Sequence, residues 1–130
     1  MIPKTPRDWL RWIRSLDDRP TKLTKMTKRR IAPLTEITAE VALGMLELHK
    51  IGAKEFCLSE IKDRIDRDIH DSSMLFLREK EFATICENSK AGKYWYKLTD
   101  FGILESLEME RRLTDLIKKA EKAIERGTAK

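Results

Sequence analysis

The sequence predicts a mainly α-helical domain with a small β-hairpin and a long C-terminal helix. In the run over 93–98, Tyr94, Tyr96 and Leu98 fall on one face of an extended segment, with Trp95 and Lys97 on the other. This alternation is typical of a strand, and the run leads directly into a helix start at Thr99. Apolar residues recur at helical spacing on both sides of this run. The chain holds only 5 Gly and 4 Pro, and its charged fraction of 38% is well above the usual quarter, so the composition also favours helices.

The first helix is predicted from a start signal at Thr5. Thr5 can cap the helix, Pro6 suits its first position, and Asp8 stands where a capping carboxylate belongs. We expect the helix to end near Asp17. Its apolar face consists of Trp9, Trp12, Ile13 and Leu16.

A basic segment follows over 21–33, where no apolar residue repeats well. We predict an extended or weakly helical arm, and with the first helix it makes up region 1–37. Two interpretations stay open: a solvated linker, or an arm that contacts phosphates and gains affinity by releasing counterions. The candidate contacts in this arm are Lys25, Lys28, Arg29 and Arg30, with Lys22 just ahead of them.

The next helix is predicted over Thr38–Ile51 and is closed by Gly52. It is apolar around most of its circumference, which indicates burial on several sides. Glu40, Glu47 and Lys50 are expected to mark its solvent side. A short strand at 55–58 and a helix capped by Ser59 come next.

A further helix is predicted from Asp71 or Ser72 to Lys80, followed by a β-hairpin. Strands at 83–87 and 93–98 are joined by a turn-forming stretch, Ser89–Gly92. Thr99 can then cap a helix that continues to about Arg126.

This terminal helix carries a long apolar stripe. At a rise of about 1.5 Å per residue, the helix is longer than a domain of this size can cover. We therefore predict that region 108–130 forms a homodimer through a coiled coil, the alternative being packing onto the N-terminal helix. The predicted dimer interface consists of Leu113, Leu116, Ile117, Ala120 and Ile124.

Within 38–107, three segments carry a resemblance to a known family. Leu58–Ile61 is similar to the short strand and second helix of winged helix-turn-helix regulators of the MarR, PadR and ArsR type. Leu77–Ala83 is similar to the end of their recognition helix, although Glu81 stands where these proteins commonly have Gly. Tyr96–Gly102 resembles the Tyr-x-Leu-Thr-x-x-Gly that follows the wing in many of them, and the long final helix resembles archaeal members that dimerise through a coiled coil.

The resemblance implies a winged helix-turn-helix whose third helix enters the major groove while the wing touches the adjacent backbone or minor groove. Two departures put reading of base sequence in doubt: Leu75 and Phe76 are apolar, and Asp71 and Glu79 would repel phosphate. The implied DNA contacts on the third helix and wing are His70, Ser72, Ser73, Arg78, Lys80, Lys90 and Lys93.

The expected function is binding of double-stranded DNA by a homodimer, most simply as a transcriptional regulator associated with the nucleoid. Lys and Arg outnumber Asp and Glu by 27 to 22, for a formal charge of +5, which suits a polyanionic partner. The alternative is a winged helix that serves as a protein-interaction module in a replication, partition or transcription assembly. Exposure of Leu75 together with Phe76 would favour that alternative, because the two would form an apolar patch.

Other classes have little support in the sequence. We find no phosphate-cradling glycine loop, no nucleophile elbow and no paired-histidine motif, so we expect neither an enzyme nor a cofactor. The N-terminus lacks a signal-peptide core and no apolar run is long enough to span a membrane, so a cytoplasmic protein is expected. Cys57 and Cys86 are predicted to be reduced thiols on neighbouring strands. A bridge between them, or a zinc site with His49 and His70, is the minor alternative.

Overall fold

The structure, a computed structural model, describes residues 2–16, 22–87, 89 and 93–125. Within these ranges the chain is mainly helical with a small antiparallel sheet, as the sequence predicts. The helices are α1 (Pro6–Ser15), α2 (Lys22–Ile31), α3 (Glu36–Lys50), α4 (Leu58–Ile65), α5 (Asp71–Glu79) and α6 (Asp100–Glu125). The strands are β1 (Phe56–Cys57), β2 (Ala83–Ile85) and β3 (Trp95–Leu98).

The core is built around α3, which is buried along most of its length. Its neighbours are α1, α2, α4, α5, α6 and β3. The helix begins two residues earlier than predicted, because Thr35 and Thr38 cap each other: the Thr35 Oγ1 accepts from the Thr38 amide at 3.2 Å and the Thr38 Oγ1 accepts from the Thr35 amide at 2.8 Å. Gly52 follows the end of α3 at φ +103, a conformation in which glycine is favoured.

Strand β3 lies in the centre of the sheet and pairs antiparallel with both β1 and β2. Tyr96 stands opposite Phe56 on one side and opposite Ile85 on the other. Tyr96 and Leu98 are buried toward the core, as the alternation predicts, whereas Tyr94 precedes the strand and is 51% exposed.

The central position of β3 corrects the prediction that Cys57 and Cys86 lie on adjacent strands. Cys57 is paired with Trp95 in the sheet register, and the Cys86 amide donates to the Trp95 carbonyl from the other side at 2.8 Å. Two strand spacings separate the cysteines by about 10 Å, which is too far for a disulfide. Both are free and buried, and no metal-binding cluster of His, Cys, Asp and Glu occurs among the described residues.

The segment predicted as an arm is a regular helix, α2, so the extended interpretation is wrong. Thr24, Thr27 and Ile31 recur at helical spacing and are buried against the rest of the molecule. The indole Nε1 of Trp9 donates to the Thr27 Oγ1 at 2.9 Å in the buried contact between α1 and α2. Two of these three buried residues are threonines, so the hydrophobic periodicity of the sequence does not reveal the buried face of α2.

The apolar stripe of α6 does not form an open dimer surface. Leu113, Leu116, Ile117 and Ala120 are all buried within one chain, where α6 packs against α1, α2 and α3. The predicted dimer interface at these four residues is therefore wrong, because the N-terminal helices cover it. The side chain of Ile124 lies outside the described residues.

The predicted helix starts are confirmed at Thr5 and Thr99 but not at Ser59. The Thr5 Oγ1 accepts from the Asp8 amide at 3.3 Å, and the Thr99 Oγ1 accepts from the Gly102 amide at 2.9 Å. Helix α4 is capped by Cys57 instead, whose amide donates to the Glu60 Oε1 at 3.1 Å. No helix in the described ranges is long and apolar enough to cross a membrane.

Candidate nucleic-acid interface

The junction between α5 and β2 positions the exposed face of α5 beside the hairpin. Glu81 turns the chain at φ +65, a left-handed conformation in which glycine is favoured. The Phe82 amide then donates to the Leu77 carbonyl at 2.9 Å, and the Thr99 amide donates to the Phe82 carbonyl at 3.0 Å. The end of α5, the start of β2 and the start of α6 are therefore fastened at one point.

Gly102 is needed at this point because α6 comes very close to the backbone of Phe82. A Cβ atom at residue 102 would lie 2.0 Å from the Phe82 carbonyl oxygen. Because this oxygen belongs to the backbone, a change of side-chain rotamer could not relieve the clash. The Thr and Gly of the Tyr-x-Leu-Thr-x-x-Gly pattern thus have separate roles: Thr99 caps α6, and Gly102 permits the close approach.

Two adjoining open depressions, of about 420 and 520 Å³, lie between α5 and the hairpin. Asp71, Tyr94 and Tyr96 line both of them. The first also contacts Ser59 and Lys93, and the second contacts Ser72, Leu75, Arg78 and Ile85. The structure therefore brings together residues of α5 and of the hairpin that the sequence argument had named separately.

The predicted contacts of α5 are mostly accessible. Ser72, Arg78 and Lys80 are exposed and Ser73 is half-buried. His70 is exposed at the N-cap, where its carbonyl accepts from the Ser73 amide at 2.9 Å and its side chain makes no capping bond. The Lys80 Nζ lies 5.5 Å from the centroid of the Phe76 ring.

On the hairpin, Lys93 is exposed and its Nζ lies 5.2 Å from the centroid of the Trp95 ring. Lys90 falls outside the described residues. Burial raises the pKa of the Tyr96 hydroxyl, and the carboxylate of Asp71 adds to the effect. Burial also raises the pKa of the Cys86 thiol to about 11, helped by Glu55, so this thiol is protonated at neutral pH and a poor nucleophile.

The site also contains features that do not suit DNA. Leu75 is 50% exposed, while Phe76 is half-buried against the core, so the two do not form the joint apolar patch that the sequence argument considered. Asp71 and Glu79 are exposed on the same helix as Arg78. The surface that α5 shares with the hairpin is therefore mixed in character, with half-exposed Leu75 and Tyr94 among charged groups.

The predicted cations of α2 lie elsewhere in the molecule. Lys25, Lys28 and Arg29 are exposed, and the Arg30 guanidinium donates to the Met26 carbonyl at 3.1 Å. Helix α2 packs on α1, α3 and α6, whereas α5 packs on α3 and β2. The two groups of predicted DNA contacts thus do not form one continuous site, because α3 lies between the helices that carry them.

An ion-pair network between α3, α1 and the end of α4 was not predicted from the sequence. Glu40 was expected to face solvent, but its side chain is fully buried and accepts from Arg11 at 2.8 Å, Arg67 at 2.9 Å and Arg14 at 3.3 Å. Glu47 similarly pairs with Arg7 and, at 3.0 Å, with Arg64. The only signal in the sequence is the helical spacing of three arginines on α1.

The apolar surface that α6 leaves exposed lies in its first half. Phe101, Leu104 and Leu107 are 48%, 68% and 40% exposed.

Comparison of the chain with protein-family models, with curated proteins and with solved structures gives no match.

Proposed function

We propose that residues 38–107 form a winged helix that binds double-stranded DNA through α5 and the β2–β3 hairpin, and that the protein acts as a transcriptional regulator. The observation that carries this proposal is the arrangement of α5 beside the hairpin. The proposal is supported by the element order α3, β1, α4, α5, β2, β3 and by the strand order β1-β3-β2, which are compatible with a helix-turn-helix followed by a wing.

The chemistry of the accessible groups supports binding mainly through the phosphate backbone of the DNA. Arg78 and Lys80 at the end of α5 and Lys93 on the hairpin supply positive charge for phosphates. The Ser72 hydroxyl and the first amides of α5 suit phosphate oxygens as well. Leu75 suits contact with a thymine methyl group rather than a hydrogen bond to a base.

The test is a fluorescence anisotropy titration of a random duplex of about 30 base pairs at about 50 mM and about 200 mM salt. Three phosphate contacts predict a logarithmic salt slope of about −2.7, which is a loss of about 40-fold in affinity over this range. The double substitution Arg78→Gln with Lys93→Gln is expected to lower that slope by about 2. Lys54→Gln, at an exposed lysine outside the site, is the control and should leave the slope unchanged.

A second candidate function is favoured by one observation. Leu75 and Tyr94 are both about half exposed and line the same depression as Ile85, which suits a short apolar segment of a protein partner. A flat duplex titration at low salt, with the protein folded, would reject DNA binding and leave this candidate in place. Steep salt dependence that is lost in the Arg78 and Lys93 variant would reject it.

A further inference from the structure

Helix α2 presents a face that consists only of cations. Lys22, Lys25, Lys28 and Arg29 are exposed, and α2 contains no acidic residue. The opposite face is fixed by the buried Thr24, Thr27 and Ile31, so the helix cannot rotate to hide its charges. The positive surface is therefore a permanent feature of the fold.

These cations differ from the arginines of α1 and α4 in having no carboxylate partner among the residues that the structure describes. Within the described ranges, none of the four forms an ion pair, whereas Glu40 and Glu47 already bind the arginines around them. The same holds for the exposed Lys118, Lys119 and Lys122 near the end of α6, a helix that packs against α2. Glu121 on these turns is half-buried, and Asp115 is paired with Arg111 at 3.1 Å.

The position of this surface separates it from α5 and the hairpin. Lys118 to Lys122 lie about 30 Å along α6 from its start at Asp100, beside the hairpin, at a rise of about 1.5 Å per residue. Helix α2 packs on α1, α3 and α6, whereas α5 packs on α3 and β2. The cations at the end of α6 therefore lie about 30 Å along this helix from the hairpin, and those of α2 lie on a helix with different packing partners from α5.

We propose that the four exposed cations of α2, with Lys118, Lys119 and Lys122 of α6, form a second surface for the phosphate backbone of double-stranded DNA, so that one molecule bridges two duplex segments. The bridging part rests on the function proposed for α5 and the hairpin. Binding of a duplex by α2 itself does not.

Spacing and composition favour DNA over an anionic membrane. Lys22, Lys25 and Arg29 share one face of α2 and span about 10 Å, the length of about three phosphates along one strand. A helix that binds a membrane surface also needs a large apolar face to insert. Among the described residues, none of the large exposed apolar side chains lies on α2 or on the second half of α6.

The test is a bridging assay in which a bead-bound duplex captures a fluorescent second duplex only when protein is present. The α2 variant carries Lys22→Gln, Lys25→Gln, Lys28→Gln and Arg29→Gln. The matched control keeps the charge at the same four positions, with Lys22→Arg, Lys25→Arg, Lys28→Arg and Arg29→Lys. A third protein carries Arg78→Gln with Lys93→Gln, and all are first shown to be folded by thermal unfolding.

Wild type and the charge-retaining control are expected to capture the second duplex. The α2 variant and the Arg78 and Lys93 variant should each lose capture by about tenfold or more while each still binds a single duplex. Capture by the α2 variant at the wild-type level would overturn the proposal, and it would also reveal bridging by a dimer through α5 alone.

Two further outcomes separate the failure of this proposal from that of the proposed function. If the Arg78 and Lys93 variant captures as well as wild type, while the α2 variant binds no duplex, both bridging and the role of α5 are overturned. If the α2 variant binds and bridges DNA normally but no longer floats with phosphatidylglycerol vesicles, the surface is a membrane contact and only the second-surface proposal fails.

Discussion

Helices α1 and α2 have the same length, but they use their cations in opposite ways. Each helix has ten residues and packs on α3 and α6. The arginines of α1 pair with Glu40 and Glu47 of the antiparallel α3, while no described acidic side chain pairs with the exposed cations of α2. One helix is attached by its charges and the other presents them to solvent.

This contrast shows that a count of charges along a chain is a poor guide to its binding surface. Arg7, Arg11 and Arg14 contribute to the formal charge of +5, yet each is paired with Glu40 or Glu47 of α3. The exposed cations without an ion-pair partner among the described residues are concentrated on α2 and near the end of α6, whereas α5 carries acidic residues beside its cations.

The largest expected effect is that of Glu40→Ala. Removing this buried carboxylate leaves Arg11, Arg14 and Arg67 without their shared partner. Because these arginines are partly exposed and regain water, we expect a loss of about 3 kcal/mol, the low end of the range for a broken buried ion pair. Urea unfolding at neutral pH measures the change in the free energy of unfolding. A loss below about 1 kcal/mol would show that the network contributes little and that α1 is held by its tryptophan face.

A smaller loss of stability is expected when the uncharged hydrogen bond between α1 and α2 is removed. Thr27→Val removes the acceptor of the Trp9 Nε1 hydrogen and leaves a buried donor unsatisfied, at a cost of about 1–3 kcal/mol. The loss should be the same in low and high salt, because neither group is charged. A strong salt dependence in the urea unfolding of this variant would contradict the neutral attachment of α2.

Features that depend on short sequence separations are predicted well. The starts at Thr5 and Thr99, the alternation of Tyr96 and Leu98, and the buried character of α3 all follow from residues within one or two turns of each other. The order of α5 and the hairpin was also predictable, because the resembling segments 77–83 and 96–102 cover the end of α5, the start of β2 and most of β3. Ser72, Arg78 and Lys93, which were named as DNA contacts from the resemblance, lie around two adjoining depressions, and their role stays a prediction.

Features that depend on distant segments were not predictable. Glu40 looks like a solvent residue because its arginines come from α1 and from the turn after α4. The stripe around Leu116 looks like a dimer surface because nothing in its own pattern shows that α1 and α2 pack on it. The helical nature of α2 was hidden because Thr24 and Thr27 serve as buried positions.

The ion pair between Glu47 of α3 and Arg7 of α1 should contribute less to the free energy of unfolding than the pairs of Glu40. Glu47 is about one quarter exposed, as is its partner Arg7, so solvent screens the pair. We expect Glu47→Gln to lower the free energy of unfolding by about 1 kcal/mol and to do so less at high salt. An effect as large as that of Glu40→Ala would mean that burial does not distinguish the two clusters.

The smallest effect on stability is expected from Lys25→Ala with Arg29→Ala on α2. Both side chains are exposed and have no ion-pair partner among the described residues, so each substitution should change the free energy of unfolding by less than about 0.5 kcal/mol. In a protein that also carries Arg78→Gln and Lys93→Gln, so that duplex binding reports on α2, the two substitutions should lower the logarithmic salt slope by about 2. Unchanged stability with a reduced slope is the signature of a surface kept for a polyanion. A substantial loss of stability would instead place these cations with those of α1, as part of the fold.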